Sequence, residues 1–348
     1  MTFKRQLRMV DAIALFKHLS MTLKAGLNIS EAVNSMDARK GSGMKRVIDH
    51  LQNSVETGHT FYEAMSTAPR SFPMLALQLI RTGEISGSLR ENIEEASAYM
   101  TDMAETRREV RSAMLYPSLV LVAVTGLGLS ISLFVLPQII PLFESMNVEL
   151  PMPTKVLLFV ARSFEAHGLG IVLSTAALFA GVLIAFRARS LKAVTAPIVL
   201  HIPLIGHIVH LFNLTRICRT LGSLLGSGIP IVEALTITGD SLENPVYKRV
   251  IRDVTKTVTA GAPLSDGLKL HHQIPQLFQR LISVGERTGS IKDTLFYLNE
   301  YYSADLKHAV KNLSTALEPA MLIIVGSLVG FVVFAIITPI YDITGSIQ

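Results

Sequence analysis

Several features are scarce or absent in this sequence of 348 residues, and each absence excludes a class of protein. The only cysteine is Cys218, so one chain can form neither an internal disulfide nor a cage of thiolate metal ligands. Charged residues make up 17% of the sequence, whereas soluble domains contain roughly 25%. The motif G-x-x-x-x-G-K-[ST], which cradles a nucleotide phosphate, is absent. The sequence is therefore not that of a disulfide-stabilised secreted domain or a P-loop enzyme.

Clusters of catalytic or metal-ligating residues are also lacking. The ten histidines are scattered, and the best-spaced metal candidates are His207 and His210, with His201 nearby. No acidic third ligand is close to them in sequence, and the adjacent His271 and His272 point to opposite sides of the chain. Cys218 lies in an amphipathic helical pattern, where a small buried side chain is expected. We therefore predict no catalytic residue, no cofactor, no metal site and no enzymatic activity.

Apolar residues are abundant, at 49% of the sequence with a mean hydropathy of +0.43. Three stretches without charge, 117–136, 168–186 and 319–341, are near the roughly 20 residues that cross a bilayer as a helix. Three buried core helices are the alternative interpretation. The net charge of +5 is typical of basic flanks on the cytoplasmic side of a membrane, so nucleic acid is not an expected partner.

The chain contains two copies of one sequence pattern at an offset of 202 residues, with a single inserted residue that brings 46–48 into correspondence with 249–251 at an offset of 203. The pattern L-x-x-G-[LI]-x-[LI]-x-E-A occurs at 23–32 and 225–234, and G-E-x-x-G-S-[LI] occurs at 83–89 and 285–291. Each copy of about 120 residues has the size of a small domain followed by one apolar stretch. The middle stretch has no counterpart in the repeat, so it is predicted to return the chain to the side of the first copy.

Basic residues around the apolar stretches predict the orientation. Arg107, Arg108 and Arg111 precede the first stretch, and Arg187 and Arg189 follow the second, which places both copies in the cytoplasm. The predicted multi-pass organisation is a first cytoplasmic helical repeat (1–114), a transmembrane helix with its flank (115–143), a periplasmic loop (144–167), a second transmembrane helix (168–186), a second cytoplasmic repeat (187–318), a third transmembrane helix (319–341) and a periplasmic tail (342–348).

Within each repeat the apolar residues recur with a helical period, which predicts about six short helices in an antiparallel bundle and an all-α fold. Capping boxes are predicted from Thr60 to Glu63, from Ser88 to Glu91 and from Ser290 to Asp293, with Pro263 at the start of a helix. Glycines are predicted at helix ends, where a left-handed residue is needed; they form the pairs Gly58 and Gly261, Gly83 and Gly285, and Gly87 and Gly289.

These repeated motifs, together with Glu318-Pro319 before the last apolar stretch, resemble the secretion-F family of inner-membrane platform proteins in type II secretion systems and type IV pili. The resemblance covers essentially the whole chain. Two features depart from the family pattern. The long N-terminal extension of general-secretion and type IVa pilus members is missing, which is more similar to the type IVb or conjugative thin-pilus branch. In addition, Tyr116 stands where the second copy has Glu318.

The resemblance implies a non-enzymatic scaffold in the bacterial inner membrane, in contact with membrane lipid and with a cytoplasmic N-terminus. It implies that the cytoplasmic repeats engage a hexameric assembly ATPase and other inner-membrane assembly proteins. The transmembrane helices would accept pilin or pseudopilin subunits, and self-association as a homo-oligomer is expected. The alternatives are a platform of a tight-adherence or archaeal-type filament, or a subunit of a transport permease.

The candidate partner-contact or structural residues are those that both copies share, together with one at the membrane edge: Glu84, Glu286, Glu318, Gly83, Gly87, Gly285 and Gly289. Glu84 and Glu286 could pair with a cation of a partner, or they could cap free amides of a neighbouring helix. Glu318 is a functional candidate because of its position, although pairing with Lys311 or reaching to water is a simpler explanation. Acidic residues between Glu91 and Glu109 are predicted to form a solvated helix face that could dock a basic partner.

Overall fold

The computed structural model describes residues 7–36, 43–68, 72–113, 115–130, 197–200 and 202–346, with the single residues 159, 163 and 195. All regular secondary structure in these residues is helical, which confirms the all-α prediction. The predicted second transmembrane helix (168–186) and nearly all of the predicted loop (144–167) lie outside the described residues, as does His201.

The first repeat contains six helices. They are α1 (Met9–Lys24), α2 (Ile29–Asn34), α3 (Gly43–Glu56), α4 (Phe61–Thr67), α5 (Met74–Ser86) and α6 (Leu89–Ala113). A seventh helix, α7 (Leu115–Ser130), covers the first part of the first apolar stretch. Within this repeat each of the helices α1 to α5 contacts the next in order, so neighbours in sequence are neighbours in space.

In the second repeat residues 197–200 are helical, and from residue 205 on six helices are described in the same order as in the first repeat. They are α8 (Ile205–Gly226), α9 (Ile231–Ser241), α10 (Pro245–Thr259), α11 (Leu264–Lys269), α12 (Gln276–Thr288) and α13 (Ile291–Ser346). Helices α8 to α12 contact one another in sequence order, as α1 to α5 do. The described helices of the second repeat thus follow the order of those in the first, and α13 continues through the third apolar stretch.

Equivalent positions form the cores of the two repeats. Leu15, Phe16 and Leu19 of α1 are fully buried, and the residues 202 positions later, Ile217, Cys218 and Leu221, are buried on α8. Cys218 therefore occupies the position that Phe16 has in the first copy, and it is a small core side chain as predicted. Burial raises the pKa of the Cys218 thiol well above its ordinary value, which keeps the thiol protonated.

The chain divides into two compact units. One unit contains Met1–Glu109 and Ala196–His308, and the other contains Val110–Thr195 and Ala309–Gln348. Both helical repeats therefore belong to one unit, in which α5 of the first repeat contacts α8 and α9 of the second.

Among the helices that the structure describes, none is both long and apolar enough to cross a membrane. The three transmembrane helices stay a prediction from the sequence.

Candidate functional site

Glu84 caps a helix in the first repeat. Its carboxylate accepts hydrogen bonds from the backbone N–H groups of Phe61 (2.5 Å) and Tyr62 (2.8 Å), the first two residues of α4. These amides have no partner within their own helix, and a negative charge at a helix N-terminus is stabilised by the helix dipole. The carboxylate on α5 thus fixes α4 against it.

Glu286 makes the same contact in the second repeat. Its carboxylate accepts hydrogen bonds from the N–H groups of Leu264 (2.6 Å) and Ser265 (3.1 Å) at the start of α11, and a third from the Ser265 hydroxyl (2.7 Å). Both carboxylates therefore cap the free amides of a helix that precedes them in the chain, α4 or α11. This geometry occupies the carboxylate oxygens, and a contact of Glu84 or Glu286 with another protein stays a prediction.

Gly87 and Gly289 end α5 and α12 in the left-handed conformation, with φ of 70° and 71°. A side chain in this region of φ and ψ is strained, so these positions favour glycine. Gly58 and Gly261 also have positive φ, of 86° and 89°, just after α3 and α10. For these two pairs the predicted left-handed helix end is present.

The prediction that Gly83 and Gly285 lie at helix ends was wrong. Both are buried inside a helix, α5 or α12, and neither is among the glycines with positive φ. A Cβ atom on Gly83 would lie 2.9 Å from the Cα of Leu89, and one on Gly285 would lie 2.4 Å from Oγ1 of Thr294. Glycine is needed here because α5 and α6, and likewise α12 and α13, approach too closely for a side chain.

The motif G-E-x-x-G-S-[LI] is therefore a structural device in both copies. Its first glycine allows a close helix contact, its glutamate caps another helix, and its second glycine ends the helix. The serine that follows bonds to a neighbouring hydroxyl, since Ser88 Oγ lies 2.6 Å from Ser86 Oγ and Ser290 Oγ lies 2.7 Å from Thr288 Oγ1.

Capping residues differ between the repeats. The predicted box at Thr60 is present, because its hydroxyl accepts from Glu63 N and the Glu63 carboxylate accepts from Thr60 N, both at 3.1 Å. A second box, formed by Asn28 and Glu31, was not predicted, although Asn is as good an N-cap residue as Ser. In the second repeat Pro263 is the residue before α11, one position earlier than predicted, and it makes no side-chain cap.

A cluster of charges joins the two repeats. The guanidinium of Arg219 on α8 lies 3.2 Å from Glu95 Oε1 and 3.7 Å from Asp102 Oδ2, both on α6, and Ser223 Oγ donates to Glu95 Oε1 at 2.6 Å. The side chain of Arg219 is only 12% exposed, and its guanidinium also lies 5.3 Å from the centre of the Phe296 ring. Burial raises the pKa of Asp102 in spite of the attraction of Arg219. In this inter-repeat charge cluster the cation is largely buried while Glu95 and Asp102 are 28% and 38% exposed, so salt should weaken it less than a fully exposed ion pair.

Two further contacts link α6 to the second repeat. Lys307 Nζ lies 3.0 Å from Glu109 Oε1, and hydrogen bonding to this carboxylate raises the pKa of Lys307. Glu243 Oε1 lies between Arg107 of the first repeat (3.6 Å) and Arg216 of the second (3.7 Å).

These contacts correct part of the prediction that the acidic face of α6 is solvated and open to a basic partner, since Glu91, Glu94 and Glu105 are exposed as predicted but other carboxylates of this face pair with the second repeat. Glu95, Asp102 and Glu109 face cations of the second repeat, while Glu94 pairs with Lys24 at 2.5 Å. The sequence held one signal of this arrangement. Arginines at 216 and 219 on α8 stand where α1 has Ala14 and Lys17, which marks this face of α8 as different from its counterpart.

His210, one of the metal candidates, has a different role. Its Nδ1 is hydrogen-bonded to the hydroxyl of Tyr247 on α10. Burial, and then the neighbouring His207, lower the pKa of His210, so the ring is neutral at pH 7. Within the described ranges no group of three or more His, Cys, Asp or Glu residues is placed to hold a metal ion.

A cationic groove of about 480 Å³ lies between α9 and α10. Lys248, Arg252 and Lys256 line it at intervals of one helical turn, and Lys248 Nζ lies 2.9 Å from Asp240 Oδ1. In the first repeat Asp49 stands at the position of Arg252. The basic character of this surface is therefore specific to the second repeat. Glu318, the remaining candidate, lies on α13 with an exposed side chain.

Comparison with known proteins supports the duplication. The family described as type II secretion system (T2SS), protein F, matches the chain twice, over residues 15–137 and 217–339. The two matches are offset by the same 202 residues as the motifs.

Curated relatives match over nearly the full chain. The type IV pilus assembly protein PilC of Thermus thermophilus is 29% identical over 97% of this chain and 83% of its own length. The type IV pilus assembly protein TapC of Aeromonas hydrophila is 26% identical over 97% of this chain and 82% of its own length. The type II secretion system protein F of Pseudomonas aeruginosa is 27% identical over 99% of this chain and 85% of its own length.

Proposed function

This chain belongs to the type II secretion system protein F family, and on that premise we propose that it is an inner-membrane platform protein for assembling a type IV pilus or a type II secretion pseudopilus. The observation that carries the proposal is the double match of the family to both repeats. Relatives named for type IV pilus assembly and for type II secretion match 97% or more of the chain, so they support the platform role without selecting one filament.

The proposed mechanism is mechanical. The two repeats form one compact unit whose contacts include the Arg219 charge cluster, so a force applied to one repeat is transmitted to the other. A cytoplasmic assembly ATPase would bind this unit, and its motion would displace the attached membrane helices and move a pilin or pseudopilin into the filament. The chain's part in this cycle requires no covalent chemistry.

Membrane insertion is part of the proposal. Large apolar side chains are exposed along α13, including Leu322 (68%), Ile323 (69%) and Ile324 (58%), and Val122 on α7 is 70% exposed. Such side chains are costly in water and stable against lipid. With the basic flanks of the apolar stretches, they support a multi-pass protein whose two repeats lie in the cytoplasm.

Reporter fusions test this topology. A reporter that is active only in the cytoplasm should be active when it is fused at Asn244. A reporter that is active only in the periplasm should be active when it is fused at Pro151. A periplasmic report from Asn244 would contradict the predicted three crossings.

A deletion strain tests the function. Loss of the gene should abolish surface filaments, or pseudopilus-dependent secretion, and the wild-type gene should restore them. The purified full-length protein should hydrolyse no ATP alone and should co-purify with its cognate assembly ATPase. Normal filaments and normal secretion in the deletion strain, with loss of solute uptake instead, would favour a transport permease.

A further inference from the structure

The contact between the two repeats is heterologous, since the two copies use different surfaces. The first repeat contributes α5 and α6, and the second contributes α8 and α9 together with Lys307 of α13. Lys307 pairs with Glu109 and lies on a different face of α13 from Tyr297 and Tyr301. The duplication means that each surface has an equivalent elsewhere in the unit. The equivalent of α5 and α6 is the surface of α12 and α13, and the equivalent of α8 and α9 is the surface of α1 and α2.

The stripe on α8 that faces α6 has an exposed counterpart on α1. In the second repeat the stripe contains Phe212 and Arg216, which line one pocket with Arg107 of α6. It also contains Arg219 and Ser223, which contact Glu95 of α6, and Ser223 is 1% exposed. The positions 202 residues earlier are exposed and mostly apolar; they are Val10 (71%), Ala14, Lys17 and Met21 (72%). We call these four residues the α1 stripe.

The surface of α12 and α13 shows the same contrast with its equivalent. In the first repeat Leu75 of α5 is 1% exposed, and Tyr99, which lies between Glu95 and Asp102 at helical spacing on α6, is 5% exposed. Their counterparts, Leu277 and Tyr301, are 42% and 41% exposed. Tyr297, the counterpart of Glu95, is 59% exposed. Leu277, Tyr297 and Tyr301 together are the α12–α13 patch.

The α1 stripe and the α12–α13 patch are chemically complementary when their residues are paired as the equivalent residues pair in the internal interface. Inside the chain Glu95 receives a hydrogen bond from Ser223 and pairs with Arg219. In the same register Tyr297 would face Met21 and Lys17. A methionine sulfur and a lysine ammonium both bind aromatic rings favourably, so polar partners at one interface are replaced by aromatic and apolar partners at the other.

We propose that the α1 stripe of one copy docks on the α12–α13 patch of a second copy of this chain, head to tail, and so repeats the internal interface between molecules. The occupant is a second copy because each exposed surface is the equivalent of one side of an interface that the chain already forms. A heterologous contact of this kind produces a closed ring or an open row of protomers. The inference is independent of the filament that the protein assembles.

Cysteine cross-linking of the full-length protein in membranes tests the register. In a Cys218→Ala background, Met21→Cys and Tyr297→Cys are introduced together, and a short bis-maleimide is added. We expect a ladder of dimers and larger species. Because position 21 meets position 297 and not itself, neither single variant should cross-link, whereas co-expression of the two single variants should give a dimer only.

Two controls make a negative result informative. Lys307→Cys with Glu109→Cys reports the internal interface at two partly exposed positions (52% and 36%), and it should give an intramolecular product without a ladder, since Lys307 Nζ and Glu109 Oε1 are 3.0 Å apart. Met21→Cys with Ile85→Cys tests nonspecific collision, because Ile85 is 79% exposed outside the proposed contact. The proposal is wrong if the internal pair reacts and the Met21–Tyr297 pair does not. It is also wrong if Met21→Cys alone forms dimers, which would indicate a symmetric contact, or if it captures a different protein.

A charge variant provides an independent readout. Lys17→Glu removes the cation opposite the tyrosines, and we expect it to reduce the cross-linked ladder about fivefold without changing the internal product. Lys45→Glu, on α3 and outside the proposed contact, should leave the ladder unchanged. Equal ladders from Lys17→Glu and the parent would overturn the proposed register.

Discussion

The two repeats build the same six helices, yet they begin their short helices with different chemistry. In the first repeat Asn28 and Thr60 cap α2 and α4 with their side chains. In the second repeat Pro230 and Pro263 stand at these positions and make no side-chain cap. What both copies retain is the glutamate that caps α4 or α11. The N-cap residues therefore vary between two copies of one fold, whereas the capping glutamate is kept in both.

The repeats differ more in the surfaces by which they meet. Carboxylates of α6 in the first copy face Arg219 of α8 in the second. Their counterparts on α13 and α1 include Tyr297 and Lys17, which do not form this charge cluster. Divergence of two copies with one fold has thus produced one specific contact and left two surfaces exposed.

The largest expected effect is loss of the close helix contact at Gly83 and Gly285. Gly83→Val should lower the free energy of unfolding by about 3 kcal/mol, because its Cβ would meet the backbone of Leu89 at 2.9 Å. Gly285→Val should cost less, about 2 kcal/mol, because its nearest neighbour is the Thr294 hydroxyl, which can rotate away. Pulse proteolysis in detergent measures both.

Gly126→Val provides the control, since a Cβ on this helical glycine would meet nothing within 4 Å. Equal losses for Gly83→Val and Gly285→Val would show that the two close contacts do not differ as described.

The next effect concerns the inter-repeat charge cluster. Arg219→Met should lower stability by about 2 kcal/mol, because it leaves Glu95 and Asp102 without their buried cation. Lys24→Met removes a cation from the neighbouring Glu94, but both side chains are about half exposed, so the loss should stay below about 0.5 kcal/mol.

Denaturant unfolding at two salt concentrations distinguishes the pairs. The effect of Arg219→Met should persist at high salt, whereas that of Lys24→Met should vanish. Similar small effects from both would mean that the cluster contributes nothing to holding the repeats together.

These two cases show what the sequence could and could not predict. The number of helices follows from the apolar period and from breaks at residues such as Gly58 and Pro263. A glycine in the sequence signals only that a side chain is missing, so Gly83 could not be distinguished from Gly87. Nor could the partner of Glu95 be identified, because Ser223 is 128 residues away along the chain and the contact depends on how the copies pack.

The capping glutamates should show a smaller, unequal effect. Glu286→Gln should lower stability by about 1.5 kcal/mol, because Pro263 offers α11 no cap of its own. Glu84→Gln should cost about 0.7 kcal/mol, because the Thr60 capping box still holds α4.

Hydrogen exchange at Leu264 and Phe61 reports the two caps directly, with faster exchange expected at Leu264. Filament counts at matched protein levels test whether Glu84 or Glu286 also contacts a partner protein. If either variant folds normally but assembles fewer filaments, that carboxylate also serves a partner. Equal exchange at both amides would contradict the asymmetry.

The smallest expected effect is a pH dependence that belongs to the second repeat. Its source is His210, whose pKa is lowered by burial and then by His207. The folded protein binds this proton less readily than the unfolded chain, so the stability that His210 contributes is present above pH 6.5 and is lost as the pH falls through the lowered pKa. The first copy has Arg8 at this position, and an arginine does not titrate in this range.

Between pH 7 and pH 5.5 the loss of stability should be below about 1 kcal/mol, and His210→Gln should remove it. Tyr247→Phe keeps the histidine but removes its hydroxyl partner, and it should retain a slope. If unfolding curves of His210→Gln keep the parent's slope over this range, the pH dependence has another source and the asymmetry does not extend to protonation.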